Sequence, residues 1–284
     1  MIISISRRCD IPRFRFDWFM ERLDAGFAEA ANPFNAAQVR RAPLRPDPAD
    51  PAAGAEVLVF WTRDPRPLLA RAEELERRGC RFYVMVTVTG YPGLLEPQVP
   101  EAETVCRAMK ELGKKIGPRR VIWRYDPVFL STLTDTAFHR ENFTALARSL
   151  KGAVRRVIVS LYDPYRGAER RVAALEKSGA LRPLPCTGGE GRPLPRTREL
   201  LGDLAEAARR ADMETQSCAE AEDLAPLGIT RGACIDGERI RELWGVAAGA
   251  RDKNQRPHCR CAPAVDIGSY GPCPAGCVYC YARR

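Results

Sequence analysis

The sequence predicts an α/β protein, a (β/α) TIM-type barrel that is complete or partial and carries six to eight βα units. Three observations predict it. Short runs rich in β-branched and aromatic residues recur along the chain, helical patterns lie between them, and 284 residues suit one barrel of about 250. The runs are IISIS at 2–6, VLVFWT at 57–62, FYVMVTVT at 82–89, VIWRY at 121–125 and VIVSLY at 157–162. Each reads as a strand buried on both faces, as parallel sheets require. Helical patterns at 16–30, 66–78, 101–116 and 135–150 separate them. Weaker units follow: a helix at 197–211, a strand at 213–217, a further stretch at 228–234 and a helix near 237–247. Alternation at this spacing is the mark of a parallel sheet. Two Pro- and Gly-rich stretches, 42–54 and 180–196, read as surface loops decorating the functional face.

Composition excludes several classes. Hydrophobic residues at 45% and charged residues at 29% are a globular balance, so wholesale disorder is excluded. No apolar run approaches the roughly 18 residues that span a bilayer. The opening MIISISRRCDIPR places its basic pair after the apolar stretch, the reverse of a secretory leader, and a cytoplasmic protein is expected. The net charge is +9. Arginine pairs such as Arg77–Arg78, Arg119–Arg120, Arg155–Arg156 and Arg209–Arg210 fall near helix ends, where cations complement the helix dipole. The other reading of this charge is an anionic or nucleic-acid partner, although no stretch interleaves arginines with aromatics as a stacking groove would. No Walker-type loop, dinucleotide fingerprint or hydrolase elbow is present.

Seven of the eleven cysteines (Cys218, Cys234, Cys259, Cys261, Cys273, Cys277 and Cys280) fall in the last quarter of the chain. In a reduced compartment such crowding points to metal ligation before disulfides. Cys273, Cys277 and Cys280 form a CxxxCxxC pattern in CPAGCVYCYARR, with Pro274 and Gly276 allowing the tight turns that convergence demands. Three thiolates on a four-iron cubane leave one iron open to a small molecule, whereas structural zinc normally takes four ligands. Cys9, Cys80, Cys106 and Cys186 follow no ligand spacing and read as small buried hydrophobes, with Cys186 in a flexible loop.

The cysteine pattern, with Tyr279 directly before Cys280, resembles the CxxxCxΦC cluster motif of the radical S-adenosylmethionine superfamily, and VYCYA is similar to the spore photoproduct lyase branch. A wider resemblance rests on ISRRCDIPR at 5–13, NPFN at 32–35, VFWTRDP at 59–65, VIWRYDP at 121–127, CAEAEDL at 218–224, GACID at 232–236, DKNQR at 252–256 and DIGSYGPC at 266–273. Together these look like the domain-of-unknown-function family eighteen-forty-eight. The resemblance implies a [4Fe–4S] cluster held by Cys273, Cys277 and Cys280, S-adenosylmethionine at its open iron, a 5′-deoxyadenosyl radical, and a reductant such as flavodoxin or ferredoxin. The cofactor carries the hard chemistry and the protein binds, orients and excludes water. The superfamily places its cysteine loop after the first strand, whereas here it lies near residue 284. AVDIGSY at 264–270 is then the strand that carries it, in a permuted topology. The expected organisation is a barrel over 1–250 and a cysteine-rich segment over 251–284 packed on its mouth.

Cys218 and Cys234 follow predicted strands, and Cys259 and Cys261 stand in HCRC, so these four are expected to meet as ligands of an auxiliary iron–sulfur cluster. The alternatives are a zinc site that includes His258, or ordinary core residues. Arg124 and Asp126, after the fourth strand, are candidate catalytic residues. Arg124 suits a carboxylate, and Asp126 orients it or accepts from a ribose hydroxyl, unless the two form an internal ion pair. Arg7, Arg8 and Asp10 after the first strand, Asn32 and Asn35 in the NPFN turn, and Tyr279 are candidate cofactor contacts. Ser160, Tyr162 and Asp163 end the fifth strand. CTGGEGRP at 186–193 resembles the segment that binds the methionine amino group in many of these enzymes, and His139 is expected on a helix surface. Two further function classes stay open: a non-enzymatic iron–sulfur or zinc protein, and a nucleic-acid binding or repair protein.

Overall fold

Buried β-branched and aromatic runs dictate the framework. In the computed structural model, which describes residues 1–32, 35, 37–47, 49–50 and 53–283, they become strands β1 (Ile2–Ile5), β4 (Val57–Thr62), β5 (Phe82–Thr87), β6 (Val121–Val128) and β7 (Arg156–Leu161). Helices α1 (Ile11–Phe14) and α2 (Phe16–Ala25) and the antiparallel hairpin β2 (Phe27–Ala31) and β3 (Val39–Pro43) lie between β1 and β4. Helices α3 (Arg66–Arg77), α4 (Ala102–Ile116), α5 (Thr136–Leu150) and α6 (Arg166–Lys177) follow the next strands. The chain ends with α7 (Pro195–Arg210), β8 (Glu214–Ser217), β9 (Ile229–Arg231), α8 (Gly237–Trp244) and β10 (Val265–Asp266).

Eight strands form one parallel sheet in the order β10-β1-β4-β5-β6-β7-β8-β9. This is the chain order of an eight-stranded barrel, with the last strand placed ahead of the first. Among the described residues no ladder joins β9 to β10, so the barrel is not closed. The sheet is nevertheless curled. The Tyr83 hydroxyl on β5 donates to the carbonyl of Cys234, just beyond β9, at 2.6 Å. Four strand spacings on a flat sheet amount to about 19 Å, far beyond a tyrosine's reach.

Two apolar layers follow from the alternation of side chains along each strand. Outward-facing Leu58, Phe60, Phe82, Val84, Trp123 and Val157 pack on Phe19, Leu68, Met109, Phe143 and Leu204 of the helices. Trp123 stacks on Phe143 with ring centroids 4.6 Å apart. Inward-facing Val57, Val59, Trp61, Tyr83, Met85, Ile122 and Ile158 meet Ile235, Ile240, Val246, Cys259, Cys261 and Ala262. The chain after β9 thus plugs the inside of its own sheet. The segment after residue 250 supplies β10, paired to β1 through Ile3↔Val265 and Ser4↔Asp266, so it is a working part of the sheet.

Three local features depart from the sequence reading. The helix expected over 16–30 stops at Ala25, because Gly26 adopts φ +83° and caps it in the left-handed region. The hairpin β2–β3 takes up the rest and the start of the loop expected at 42–54. Of that loop, residues 48, 51 and 52 lie outside the described residues. Helix α6 has no counterpart in the sequence reading, because it is mostly polar and buries only Ala168 and Val172.

His139 is buried on α5 rather than on its surface. Its Nε2 faces the Phe129 carbonyl at 3.2 Å, and its Nδ1 lies 2.8 Å from the Tyr125 hydroxyl. A carbonyl only accepts, so Nε2 carries the proton and Nδ1 accepts from Tyr125. Burial pulls its pKa down from 6.5 to about 4. The unfolded chain therefore binds the proton that the native imidazole refuses between these values, and native stability falls as pH drops through them. The wild-type protein should lose up to about 3 kcal/mol relative to His139→Gln between pH 6.5 and 4, measured by urea denaturation across that range.

Candidate functional site

The strands deliver their C-terminal ends to one rim, where barrel proteins collect chemistry. The first fixed point there is Asp266, on β10. Its carboxylate accepts from the Ser4 hydroxyl (2.8 Å), the Ser6 hydroxyl (2.6 Å), the Arg7 amide (2.9 Å) and the Gly268 amide (2.9 Å). Arg7 and Arg8 pair with it at 3.6 and 3.9 Å. A side chain at position 268 would place its Cβ 1.8 Å from Ser6 Oγ, so only glycine admits this approach. The DIGSYG stretch is thereby fixed to the end of β1, and the cysteine loop starts from that anchor.

The loop of Cys273, Cys277 and Cys280 is held from three sides. Val278 donates to the Leu95 carbonyl (3.0 Å), Gln98 donates to the Ala275 carbonyl (3.2 Å), and Arg171 on α6 donates to the carbonyls of Val278 (2.9 Å) and Cys280. Gly276 turns the loop at φ +71°, and a Cβ there would press on Pro97 at 3.0 Å. The three thiols lie within electrostatic reach of one another. Burial pushes the Cys277 thiol up to about 11 and raises Cys273 as well. Such burial favours protonated thiols unless a cation or metal compensates.

A cation is present. Arg63, directly after β4, has a side chain only 14% exposed and pairs with Glu96, 4% exposed, at 2.7 Å. Burial opposes its charge, but Glu96, Tyr279, Cys277 and Cys280 outweigh that cost and hold it cationic. Arg63 also donates to the Tyr279 hydroxyl at 2.5 Å, and that hydroxyl contacts Glu96. Tyr279 is buried against Tyr91 and Phe129, with centroids 5.7 and 6.3 Å away. Asp10 caps α1 and accepts from the Arg63 amide at 2.8 Å, and burial lifts its pKa to about 6.

The second group of cysteines comes together from three separate segments. Cys234 contacts Cys218 at 3.4 Å, Sγ to Sγ. Cys261 is in thiol contact with both Cys234 and Cys259, and accepts from the Ile235 amide at 3.3 Å. Hydrogen bonds from Cys234 and Cys259 lower the Cys261 thiol, and the contact with Cys234 likewise lowers Cys218, while Cys234 and Cys259 are raised as the donors. His258 is exposed and stands outside this chain of contacts. Arg7 lies within electrostatic reach of Cys234 and Cys261, and Arg124 of Cys218 and Cys234. The Tyr281 hydroxyl donates to the Arg7 carbonyl at 2.7 Å, and Cys280, Arg7 and Arg124 are its electrostatic neighbours, so this side chain lies between the two cysteine groups.

Arg124 and Asp126 form an ion pair inside the rim, and Ser160 contacts the same carboxylate. Arg124 also reaches Thr87 Oγ1 at 3.4 Å and lies 4.9 Å from the centre of the Trp61 ring. Its Nε and the Trp61 Nε1 are buried and have no partner among the described residues. Asn32 lines a cavity of about 630 Å³ with Arg7, Arg8, Asp252 and Gln255. Arg8 is spent on structure, donating to the carbonyls of Ala31 (3.0 Å) and Gly268 (3.3 Å). Asn35 does not reach this cavity: it is exposed at the hairpin tip and accepts from the Ala37 amide at 3.2 Å. The GGE segment forms an exposed turn over Gly189–Gly191. Cys186 is buried, not free in a mobile loop, and burial raises its thiol to about 11.

Residues that sequence reasoning did not single out include Arg63, Glu96, Arg171, Asp266 and Tyr281. Arg63 directly follows a strand and Asp266 ends one, both in motifs already quoted, and that position is the signal. Glu96 and Arg171 lie in a loop and on a polar helix with no pattern to mark them. Among the described residues, no three His, Cys, Asp or Glu side chains already surround one point as ligands of a single metal ion. No helix among them is long and apolar enough to cross a membrane.

Fold and rim together define a class: an α/β protein with a curled eight-stranded parallel sheet and two cysteine groups at its C-terminal rim. The chain belongs to the family described as Domain of unknown function (DUF1848), whose model matches residues 2–282. No curated protein matches it.

Breaking the buried Arg63–Glu96 pair leaves an uncompensated carboxylate. Arg63→Met should cost about 3–5 kcal/mol of stability in chemical denaturation. Arg107→Ala, which breaks an exposed pair with Glu103, should cost under about 1 kcal/mol.

Proposed function

We propose that this protein is a radical S-adenosylmethionine enzyme acting on a substrate still to be found. The observation that carries the reading is the CxxxCxxC loop, which follows the strand paired to β1 and sets Cys277 and Cys280 near the buried Arg63. The residues present fit a thiolate-held iron–sulfur cluster. Three soft ligands share one loop, Arg63 offsets negative charge at two of them, Cys277 and Cys280, and the buried Arg124 Nε and Trp61 Nε1 stand unpartnered among the described residues inside the same rim. When bound, a [4Fe–4S] cluster with S-adenosylmethionine supplies reductive cleavage to a 5′-deoxyadenosyl radical.

The chain's own residues then have distinct tasks. Cys273, Cys277 and Cys280 hold the cluster. Arg63, locked by Glu96 and Tyr279, sets the charge beside it. Asp126 and Ser160 fix Arg124, whose guanidinium suits the carboxylate of the methionine moiety or an anionic substrate. The curled sheet and its plug restrict water around these groups, which a reactive radical requires. The order of strands, with β10 ahead of β1, supports a permuted arrangement in which the loop follows the strand next to β1.

The test is anaerobic. Reconstituted protein reduced with dithionite should release 5′-deoxyadenosine from S-adenosylmethionine, and the variant with Cys273, Cys277 and Cys280 changed to Ala should release at least about 100-fold less. Equal release from both, or a reduced cluster that leaves S-adenosylmethionine intact, contradicts the reading and favours an electron-carrying or structural role.

A further inference from the structure

We propose that Cys218, Cys234, Cys259 and Cys261 form a second, separate metal centre that binds one thiophilic ion of the zinc class as a four-thiolate site. The inference does not depend on the radical reading of the first cysteine group. Three segments distant in sequence, after β8, after β9 and before β10, bring four thiols into contact in a chain, Cys218–Cys234–Cys261–Cys259. Cysteines that serve only as apolar filler have no reason to converge on one another, and Cys80, Cys106 and Cys186 do not. The Sγ–Sγ distance of 3.4 Å between Cys218 and Cys234 lies near the edge of a tetrahedron with Zn–S bonds of about 2.3 Å, which is about 3.8 Å. A cubane holds its thiolates farther apart, with sulfide and iron between them. The Cys218–Cys234 pair is therefore close to its liganded spacing, and closing the site requires Cys259, at the other end of the chain of contacts, to turn toward it.

Independent observations support an anionic centre here. Arg7, Arg124 and Arg256 all lie within electrostatic reach of these thiols, which suits the two negative charges of one divalent ion with four thiolates. The Ile235 amide already donates to Cys261 Sγ, as amides around metal-bound sulfur do. The buried Nε–H of Arg124, without a partner among the described residues, belongs to a guanidinium within electrostatic reach of Cys218 and Cys234. The centre ties the plug to the ends of β8 and β9, the edge where the sheet lacks a closing ladder.

The experiment uses full-length protein carrying Ala at Cys273, Cys277 and Cys280, so that only the second group can bind. Grown with zinc, it should retain about one zinc per chain by elemental analysis. Adding Cys218→Ser and Cys261→Ser should lower that at least tenfold, while His258→Ala should leave it unchanged. Should the double serine variant fail to fold, cobalt(II) loading of its parent serves instead, and should give the intense visible bands of a tetrahedral tetrathiolate ion. Retention of zinc by the double serine variant, or a metal-free parent with all four thiols open to a thiol reagent, overturns the site. About four irons with equal sulfide on these thiols overturns the single-ion assignment.

Discussion

The arrangement at the rim depends on one buried carboxylate. Asp266 gathers two hydroxyls and two backbone amides from β1, its following turn and its own loop, and thereby fixes where the cysteine loop begins. β10 contributes only two residues to the ladder, too short a strand to hold its place by backbone pairing alone. Its position rests on this side chain, on the bare backbone of Gly268, and on Arg171 and Arg283 at the far end of the loop. A displaced β10 would carry all three C-terminal thiols with it.

The second organising constraint is charge. An interior rim lined by seven cysteines tolerates thiolate only where guanidinium groups stand nearby, and the arginines are distributed accordingly. Arg63 lies by Cys277 and Cys280, Arg256 by Cys218 and Cys259, while Arg7 and Arg124 lie towards Tyr281 between the groups. Several of these arginines are locked by carboxylates: Arg63 by Glu96, Arg124 by Asp126, Arg256 by Asp163. A locked guanidinium costs little reorganisation when charge develops beside it, which is the condition for electrostatic preorganisation.

Much of the framework was legible because buried parallel strands write themselves as continuous apolar runs. VLVFWT, FYVMVTVT and VIVSLY fall on strands whose ends differ from them by no more than two residues. The short edge strand β9 and the two-residue β10 were readable only through the motifs around them. Helix α6 and hairpin β2–β3 were missed because their stability comes from tertiary contact and from the turn at Gly26, not from a strong local pattern. Spacing alone placed Cys273, Cys277 and Cys280 together. The meeting of Cys218 and Cys234 with Cys259 and Cys261 required the strand ends to share a rim, which the βα reading implied. Asn35 illustrates the converse: a candidate cofactor contact together with Asn32, it points its side chain into its own loop.

The proposed cluster on Cys273, Cys277 and Cys280 would leave one iron open to S-adenosylmethionine. Electron paramagnetic resonance of the anaerobically reduced protein, with and without S-adenosylmethionine, tests it directly. The reduced cluster signal should shift its g-values when S-adenosylmethionine is added, and should disappear when Cys273, Cys277 and Cys280 are replaced. A cluster signal indifferent to S-adenosylmethionine, or one that survives loss of those three thiols unchanged, would contradict it.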